Sequence, residues 1–134
     1  MKILLVEDSK FLRLATGRAL ARAGYEMSFA GDGDEALLIA EEELPNFILL
    51  DMMLPKMSGP EVLKALKKQP ATAAIPVVVL SGLSLTNAPR LQRDGAFAFL
   101  TKAGLALDRG AEPLLAALTE IVKRLPTAPR PEVR

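Results

Sequence analysis

The sequence contains no cysteine and no histidine. A chain without these residues cannot form a disulfide, use a thiolate nucleophile or a Ser-His triad, or build a Cys/His zinc site within itself. An excess of one charge is also missing, because 17 basic and 16 acidic residues leave a net charge of +1. The overall charge therefore gives no reason to expect nucleic acid or an anionic membrane as a partner.

Long hydrophobic runs are absent from the amino terminus, where the apolar residues 3–6 are followed directly by Glu7 and Asp8. Such a run is too short for the core of a signal peptide or for a membrane span, so we expect a cytoplasmic protein. Half of the 134 residues are hydrophobic, which suits the single core of one globular domain. Three prolines in the last ten residues predict a Pro-rich tail or truncated linker at 125–134, after a domain at 1–124.

Short apolar runs alternate with helix-like segments along the chain. The apolar runs predict strands at residues 3–6, 25–30, 47–50, 76–80 and 96–100. The segments between them predict helices at residues 10–23, 34–44, 59–68, 86–94 and 112–124. Strands that alternate with helices in this way predict an α/β fold with a parallel sheet, right-handed crossovers and helices on both faces.

The sequence also predicts two helix caps and the inward face of the first helix. Ser9 and Asn87 are expected to cap the first and fourth helices. Gly17 lies inside the first helix, where it costs some stability, and we expect it to let another element approach closely. The inward face of this helix is predicted to consist of Phe11, Leu12, Leu14, Ala15, Ala19 and Leu20.

Polar side chains follow four of the five apolar runs. Glu7 and Asp8 follow the first run, Asp51 ends the third, Ser81 ends the fourth and Lys102 follows the fifth. In a parallel sheet the carboxyl ends of the strands meet at one edge, and ligands of such folds bind there. We therefore expect all of these side chains to converge.

Asp51 raises the main chemical question, because a lone carboxylate at the end of a buried strand is costly unless something pairs with it. Three carboxylates at one edge cannot all stay ionised without a cation, and Mg²⁺ suits a site of a few carboxylates and water. With the ammonium of Lys102 and the hydroxyl of Ser81, the site would suit a tetrahedral dianion. Asp51 as nucleophile would then form an aspartyl phosphate without a general base. A phosphohistidine donor must belong to another protein, since this chain has no histidine.

The segments VEDS, LLDMMLPKMSG, VVVLSG and FAFLTK, in this order and at these spacings, resemble the receiver domain of two-component response regulators, the CheY-like superfamily. The resemblance covers residues 1–124. It implies a doubly wound, flavodoxin-like three-layer sandwich with five parallel strands in the order 2-1-3-4-5. It also implies a phosphoprotein that acts in phosphorelay signal transduction. Such a protein is a signalling module, and the only reactions it would catalyse are its own phosphotransfer and dephosphorylation.

The resemblance further assigns roles to single residues. Asp51 would be the phosphoacceptor, and Mg²⁺ would be held by Asp8, Asp51 and the backbone carbonyl of Met53, with Glu7 acting mostly through metal-bound water. Lys102 would pair with the phosphoryl group. Ser81 would be the hydroxyl that moves to it on activation, and Phe99 the switch aromatic.

The resemblance also implies partners. The phosphoryl donor would be a sensor histidine kinase or a phosphotransfer protein. A downstream protein would bind the face made by the fourth helix, fifth strand and last helix, where Arg90, Arg93, Phe97 and Phe99 are candidates for contacts. No direct contact with nucleic acid or membrane is expected of this chain, and a homodimer is a further possibility.

One position departs from the family pattern. The family usually has a proline in a cis peptide after the lysine, but Ala103 follows Lys102 here. A non-proline cis bond costs about 3–4 kcal/mol, against about 0.5–1 kcal/mol before proline. We therefore predict a trans peptide between these residues and a rerouted loop.

Other interpretations remain open at this point. Glu7, Asp8 and Ser9 together could be a helix start, Ser81 a turn residue, Lys102 a solvated lysine and Phe99 a core residue. For the whole chain, the first alternative is a receiver-like interaction scaffold that is never phosphorylated. A second is a metal-dependent phosphohydrolase of the haloacid dehalogenase type, which needs an acid two residues after the nucleophile, where this chain has Met53.

Overall fold

The structure is a computed structural model that describes residues 1–52, 54, 56–81, 88–101 and 112–125. Strands and helices alternate through these ranges as the sequence predicts. The strands are β1 (Lys2–Val6), β2 (Glu26–Ala30), β3 (Phe47–Asp51), β4 (Val77–Ser81) and β5 (Ala98–Thr101). The helices are α1 (Lys10–Arg22), α2 (Gly33–Glu43), α3 (Gly59–Lys68), α4 (Ala88–Arg93) and α5 (Glu112–Lys123). The predicted bounds agree within about two residues.

The five strands form one parallel sheet in the order β2-β1-β3-β4-β5, so the expected strand order is confirmed. Every residue of β3 is buried, as are the last four of β1. Strands covered on both faces need apolar side chains at every position, and this is why these strands read as continuous apolar runs.

The side chains of the sheet divide into two cores because successive residues of a strand point to opposite faces. Leu4, Ile48 and Val79 pack on one face with residues of α2, α3 and α4. Ile3, Leu49 and Val78 pack on the other face with residues of α1 and α5. The molecule is therefore the doubly wound, three-layer α/β sandwich that the sequence predicts. None of the helices in the described ranges is long and apolar enough to cross a bilayer.

The capping residues account for where three helices begin. Ser9 caps α1, as expected, and its hydroxyl accepts a hydrogen bond from the N–H of Leu12. Ser58 and Glu61 form a capping box at the start of α3. The second helix begins one residue before the predicted start because Asp32 is its N-cap. The predicted cap Asn87 lies outside the described residues.

The predicted inward face of α1 is wrong for three of its six residues. Phe11 is 78% exposed, Leu14 is 55% exposed and Ala15 is also exposed. The face that packs on the sheet contains Thr16, Gly17 and Leu20 instead. The apolar residues of α1 are spread around the helix, so they did not define a single stripe at the 3.6-residue period.

Gly17 allows the close approach that the sequence predicts. A Cβ atom at this position would lie 2.5 Å from Cε1 of Phe29, which is on β2. Any larger residue at position 17 would therefore push the ring of Phe29 away from α1.

Candidate functional site: an acidic cluster at the carboxyl edge of the sheet

The topology brings two acids to the same edge of the sheet. Asp51 is the last residue of β3 and is paired with Leu80 on β4. Glu7 directly follows β1, and its N–H donates a hydrogen bond to the carbonyl oxygen of Ala30 at the end of β2 (3.0 Å). Since β1 and β3 are parallel neighbours, both acids lie beyond the carboxyl ends of adjacent strands.

Glu7, Asp8 and Asp51 form a compact cluster, which confirms the predicted convergence of these three residues. Each offers a carboxylate oxygen, and the three oxygens lie within 4.8 Å of one another. Asp51 is 1% exposed and Glu7 is 4% exposed, whereas Asp8 is open to solvent. Two buried acids and one exposed acid thus surround one point at the edge of the sheet.

The electrostatics of this cluster favour a bound cation. Ionised carboxylates whose oxygens lie within 4.8 Å of one another repel each other by a few kcal/mol at the effective dielectric constant of about 20 that suits protein sites. A divalent cation removes this repulsion. The three donors are all carboxylate oxygens, which are hard ligands, and the exposed side of Asp8 leaves space for water. This donor set fits Mg²⁺, which keeps several waters and takes few carboxylates.

The backbone on either side of the acids is held by hydrogen bonds. The N–H of Ser9 donates to Oε2 of Glu7 (3.3 Å). The N–H of Met52 donates to the carbonyl oxygen of Leu80 (3.0 Å), and its own carbonyl oxygen accepts from Gly59 (3.1 Å). A Cβ at position 59 would lie 2.6 Å from Cα of Met52, so glycine is required for the chain to turn back this tightly after Asp51.

The other predicted site residues are described to different extents. Ser81 is the last residue of β4 and is paired with Thr101 on β5, one step beyond the pairing of Asp51 with Leu80. Its backbone therefore lies at the same edge as the acids. Met53 and Lys102 lie outside the described residues, as does the peptide bond between Lys102 and Ala103, so the predicted trans geometry stays a prediction.

The predicted switch and output residues lie in the segment that runs from α4 to β5. Phe99 is half-buried, pairs with Val79 and packs against the core shared by α2, α3 and α4. Arg90, Arg93 and Phe97 are exposed on or just after α4.

Two contacts at the carboxyl edge of the sheet were not predicted from the sequence. Nη1 of Arg13 donates to the carbonyl oxygen of Glu7 (3.0 Å). Nζ of Lys56 lies 3.7 Å from Oδ2 of Asp32 and links the loop after β3 to the turn before α2. The pKa of Asp32 is held below its ordinary value, first by the hydrogen bond from the N–H of Glu35 and then by the charge of Lys56.

The relationship of this chain to known proteins follows from its sequence. The family whose description is "Response regulator receiver domain" matches residues 3–108, which is most of the chain. The chain belongs to the response regulator receiver family. The expectation based on the motifs at the strand ends is thereby confirmed, as is the general classification as a signalling module.

Relatives of this receiver domain are found within longer proteins. It is 35% identical over 109 residues to the gliding motility regulatory protein of Myxococcus xanthus, covering 81% of the chain but 14% of that protein. It is 42% identical over 104 residues to the response regulator PleD of Caulobacter vibrioides, covering 75% of the chain and 22% of that protein. The chain thus spans less than a quarter of the length of either relative.

Solved structures agree with the fold of this receiver domain. The chemotaxis protein CheY4 of Vibrio cholerae is 30% identical and superposes with a TM-score of 0.79 over 90% of this chain and 97% of that one. The receiver domain of the sensor histidine kinase PA1611 of Pseudomonas aeruginosa is 25% identical, with a TM-score of 0.76 over 92% and 95%. That structure is described as having a magnesium ion coordinated in the active site cleft.

Proposed function

We propose that this receiver domain accepts a phosphoryl group on Asp51 from a phosphohistidine of a partner protein and switches its interaction surface in response. The observation that carries the proposal is the convergence of Glu7, Asp8 and Asp51 within 4.8 Å at the carboxyl edge of the sheet. A magnesium ion in the cleft of the related receiver domain from Pseudomonas aeruginosa supports the same role for the acids here.

The proposed reaction is a phosphoryl transfer to a carboxylate. An oxygen of Asp51 attacks phosphorus, and the new O–P bond forms as the P–N bond to the donor imidazole breaks. The bonding pair leaves with the imidazole nitrogen. No general base is needed, because the nucleophile is a carboxylate and has no proton to lose. Positioning and charge stabilisation therefore account for most of the catalysis.

The acids of the cluster would prepare Asp51 for this reaction. Asp8 and Asp51 would hold Mg²⁺ directly, together with the backbone carbonyl of Met53, and Glu7 would hold it through water. Bound Mg²⁺ would supply positive charge to the phosphoryl oxygens. The depth of Asp51, which is 1% exposed, keeps bulk water away from the nucleophile.

The remaining residues would act after or during transfer. Lys102 would pair with the phosphoryl group, and the hydroxyl of Ser81 would move to it. Phe99 would change its packing in response, which the half-buried position of its ring allows. The altered surface would be that of α4, β5 and α5, with Arg90 and Arg93 available to a downstream protein.

The proposed partners are a histidine kinase or phosphotransfer protein in the cytoplasm and a downstream protein target. The receiver unit would comprise residues 1–124, and residues 125–134 would be a tail or a linker. A homodimer formed on phosphorylation is part of the same proposal, to be tested by sizing the protein with and without the phosphoryl mimic.

The test is a titration of the full chain with Mg²⁺ and beryllofluoride, a mimic of the phosphoryl group, followed by ¹H–¹⁵N NMR. We expect chemical shift changes at Asp51 and at Phe99 that require Mg²⁺. The Asp51→Asn variant should show none, whereas Asp34→Asn, which removes an exposed acid from the first turn of α2, should respond like the wild type. A wild-type protein that does not respond would instead support the unphosphorylated scaffold.

A further inference from the structure

The first turn of α1 places a charged residue on the buried side of the helix. Thr16, Gly17 and Leu20 are the buried residues of α1, and they follow Arg13 by three, four and seven positions. Residues at these spacings share one helix face, so Arg13 points in the same direction as the residues that pack on the sheet. Its side chain is half-buried. Arginine on such a face requires a specific partner for its guanidinium group.

The partner of Arg13 is the backbone of the acidic cluster. Nη1 of Arg13 donates to the carbonyl oxygen of Glu7 (3.0 Å), while the N–H of Glu7 donates to Ala30 (3.0 Å). The two peptide groups that flank the Cα atom of Glu7 are thus anchored, one to β2 and one to α1. The carboxylates of Glu7 and Asp8 both project from this short stretch of backbone.

The turn after β2 is shaped to leave room for the guanidinium group. A Cβ atom at position 31 would lie 3.0 Å from Nη1 of Arg13, which is tighter than most Cβ contacts, so the guanidinium group would have to shift by a few tenths of an ångström. The N–H of Gly31 is itself fixed by a hydrogen bond to Oε1 of Glu35 (2.6 Å). Gly31 therefore bounds the space that Arg13 occupies, independently of the hydrogen bond to Glu7.

We infer that Arg13 is a positioning residue of the acidic cluster, which fixes the backbone between Glu7 and Asp8 so that both carboxylates face Asp51. This inference rests on the proposed function, because it concerns the residues that would hold Mg²⁺. Arg13 touches none of the reacting atoms and acts through the carbonyl group of Glu7. Partners that orient metal ligands in this way are typically worth about 10- to 100-fold in metal affinity.

The charge of Arg13 and its position have opposite effects on metal binding, which allows the two to be separated. A positive charge near a cation site weakens binding of a divalent cation, so removal of the charge alone would strengthen it. Removal of the hydrogen bond would loosen the ligands and weaken binding. Lysine keeps the charge but lacks the planar fork that fixes the geometry of the arginine contact.

The experiment measures Mg²⁺ affinity of the full chain by calorimetry for Arg13→Lys and Arg13→Gln. Arg18→Gln is the matched control, because Arg18 is an exposed arginine of the same helix. We expect both variants at position 13 to weaken Mg²⁺ binding by about 10-fold or more, and the control to bind like the wild type. Unchanged binding in Arg13→Lys with stronger binding in Arg13→Gln would overturn the inference, because charge alone would then explain the effect.

A metal-free measurement separates this inference from the proposed function. In NMR spectra recorded with a chelator, Arg13→Lys should shift the carbonyl resonance of Glu7 and the amide of Asp8, and Arg18→Gln should shift neither. If the wild type fails to bind Mg²⁺, the proposed function fails, while these shifts still test the positioning role. Unshifted resonances in Arg13→Lys would overturn it.

A second variant covers the case in which changes at position 13 prevent folding. Gly31→Ala leaves every acid and Arg13 in place but puts a methyl group against Nη1. We expect it to weaken Mg²⁺ binding and to shift the same two resonances. Wild-type affinity and unchanged resonances in Gly31→Ala would contradict the inference.

Discussion

The acidic side chains at the two ends of the sheet have different neighbours. At the amino ends of the strands, Nζ of Lys2 lies between two glutamates, 3.2 Å from Glu43 and 3.6 Å from Glu26, and Ser28 donates a hydrogen bond to Glu43. At the carboxyl ends, Glu7, Asp8 and Asp51 lie against one another. Acids paired with a base inside the chain stabilise the fold. Acids gathered together repel one another, and a cation bound among them would relieve this repulsion, so we expect the carboxyl edge to be the functional one.

Burial sharpens this difference. The side chain of Glu43 is more than one-third exposed and that of Glu26 is mostly exposed, whereas Asp51 and Glu7 are almost fully buried. Burial strengthens the repulsion between like charges, since the surrounding dielectric constant is lower. A bound cation would therefore matter more for the buried acids of the carboxyl edge than for the exposed acids of the amino edge.

The largest expected effect comes from removing the charge of Asp51. Asp51→Asn should abolish phosphoryl uptake from acetyl phosphate, measured as the mass increase of the intact protein. Without metal, the variant should be more stable than the wild type by about 1 kcal/mol or more, because fewer like charges remain in the cluster. Urea unfolding in a chelator measures this. A loss of stability there would mean that Asp51 is a structural residue like Glu43.

Addition of Mg²⁺ should stabilise the folded protein through the acids of the carboxyl edge and not through those of the amino edge. Ligand binding to the folded state raises the free energy of unfolding, by about 2.7 kcal/mol at a concentration 100 times the dissociation constant. We expect this gain in the wild type and in Glu43→Gln, and a much smaller gain in Asp8→Asn. Thermal unfolding with increasing Mg²⁺ measures it. An equal gain in Asp8→Asn would exclude Asp8 as a ligand.

The same contrast explains which parts of the site could be predicted from the sequence. The convergence of Glu7, Asp8 and Asp51 can be predicted because these acids come at the ends of continuous apolar runs, and the carboxyl ends of parallel strands share an edge. The bounds of α3 were predicted correctly, since Pro60 at its start and the regular spacing of Val62, Leu63 and Leu66 are local signals.

The features that escaped prediction depend on contacts between distant segments. The sequence does not explain why Arg13 lies on the buried face of α1. The reason is its hydrogen bond to the carbonyl oxygen of Glu7, in the space beside Gly31, and this contact is visible only in the folded structure. The pairing of Lys56 with Asp32 joins two loops that are not adjacent in sequence. The prediction of the inward face of α1 is wrong because the apolar residues of this helix are spread around it. Hydrophobicity alone cannot say which of them face inward, since that depends on how the helix packs against the sheet.

Glu43→Gln tests the amino edge and should have a modest effect on stability. The pKa of Glu43 is lowered, first by the hydroxyl of Ser28 and then by Lys2. A carboxyl group with a lowered pKa in the folded state stabilises above its ordinary value of 4.5, and this stabilisation is lost as the pH falls through the folded-state pKa. The free energy of unfolding of the wild type should therefore exceed that of the variant by about 0.5 kcal/mol at neutral pH, and this difference should vanish in acid.

Urea unfolding at several pH values measures the effect of Glu43→Gln, with Glu42→Gln as the matched control on the same helix. Neither variant should change Mg²⁺ affinity. A loss of Mg²⁺ binding in Glu43→Gln would contradict the separation of the two edges. It would show that the ion pairs at the amino edge influence the acidic cluster at the carboxyl edge.

The smallest expected effect concerns an ion pair that lies at the carboxyl edge but resembles the pairs at the amino edge. Lys56 is mostly exposed and lies 3.7 Å from Asp32. If ion pairs at both edges serve the fold and not metal binding, Lys56→Gln should change Mg²⁺ affinity less than about twofold. A solvated ion pair at this distance contributes little free energy. Lys64→Gln, which removes an exposed lysine of α3, is the control.

The pKa of Asp32 gives this prediction an independent measurement. The N–H of Glu35 is the main cause of its lowered pKa and Lys56 is a lesser one. In Lys56→Gln, NMR titration of the Asp32 carboxyl carbon should therefore show a pKa that rises slightly yet stays below 3.8, the ordinary value. A full return to that value would show that Lys56 controls Asp32. The ion pair would then be a stronger link between the two loops than its exposure suggests, and a dependence of Mg²⁺ affinity on Lys56 should accompany it.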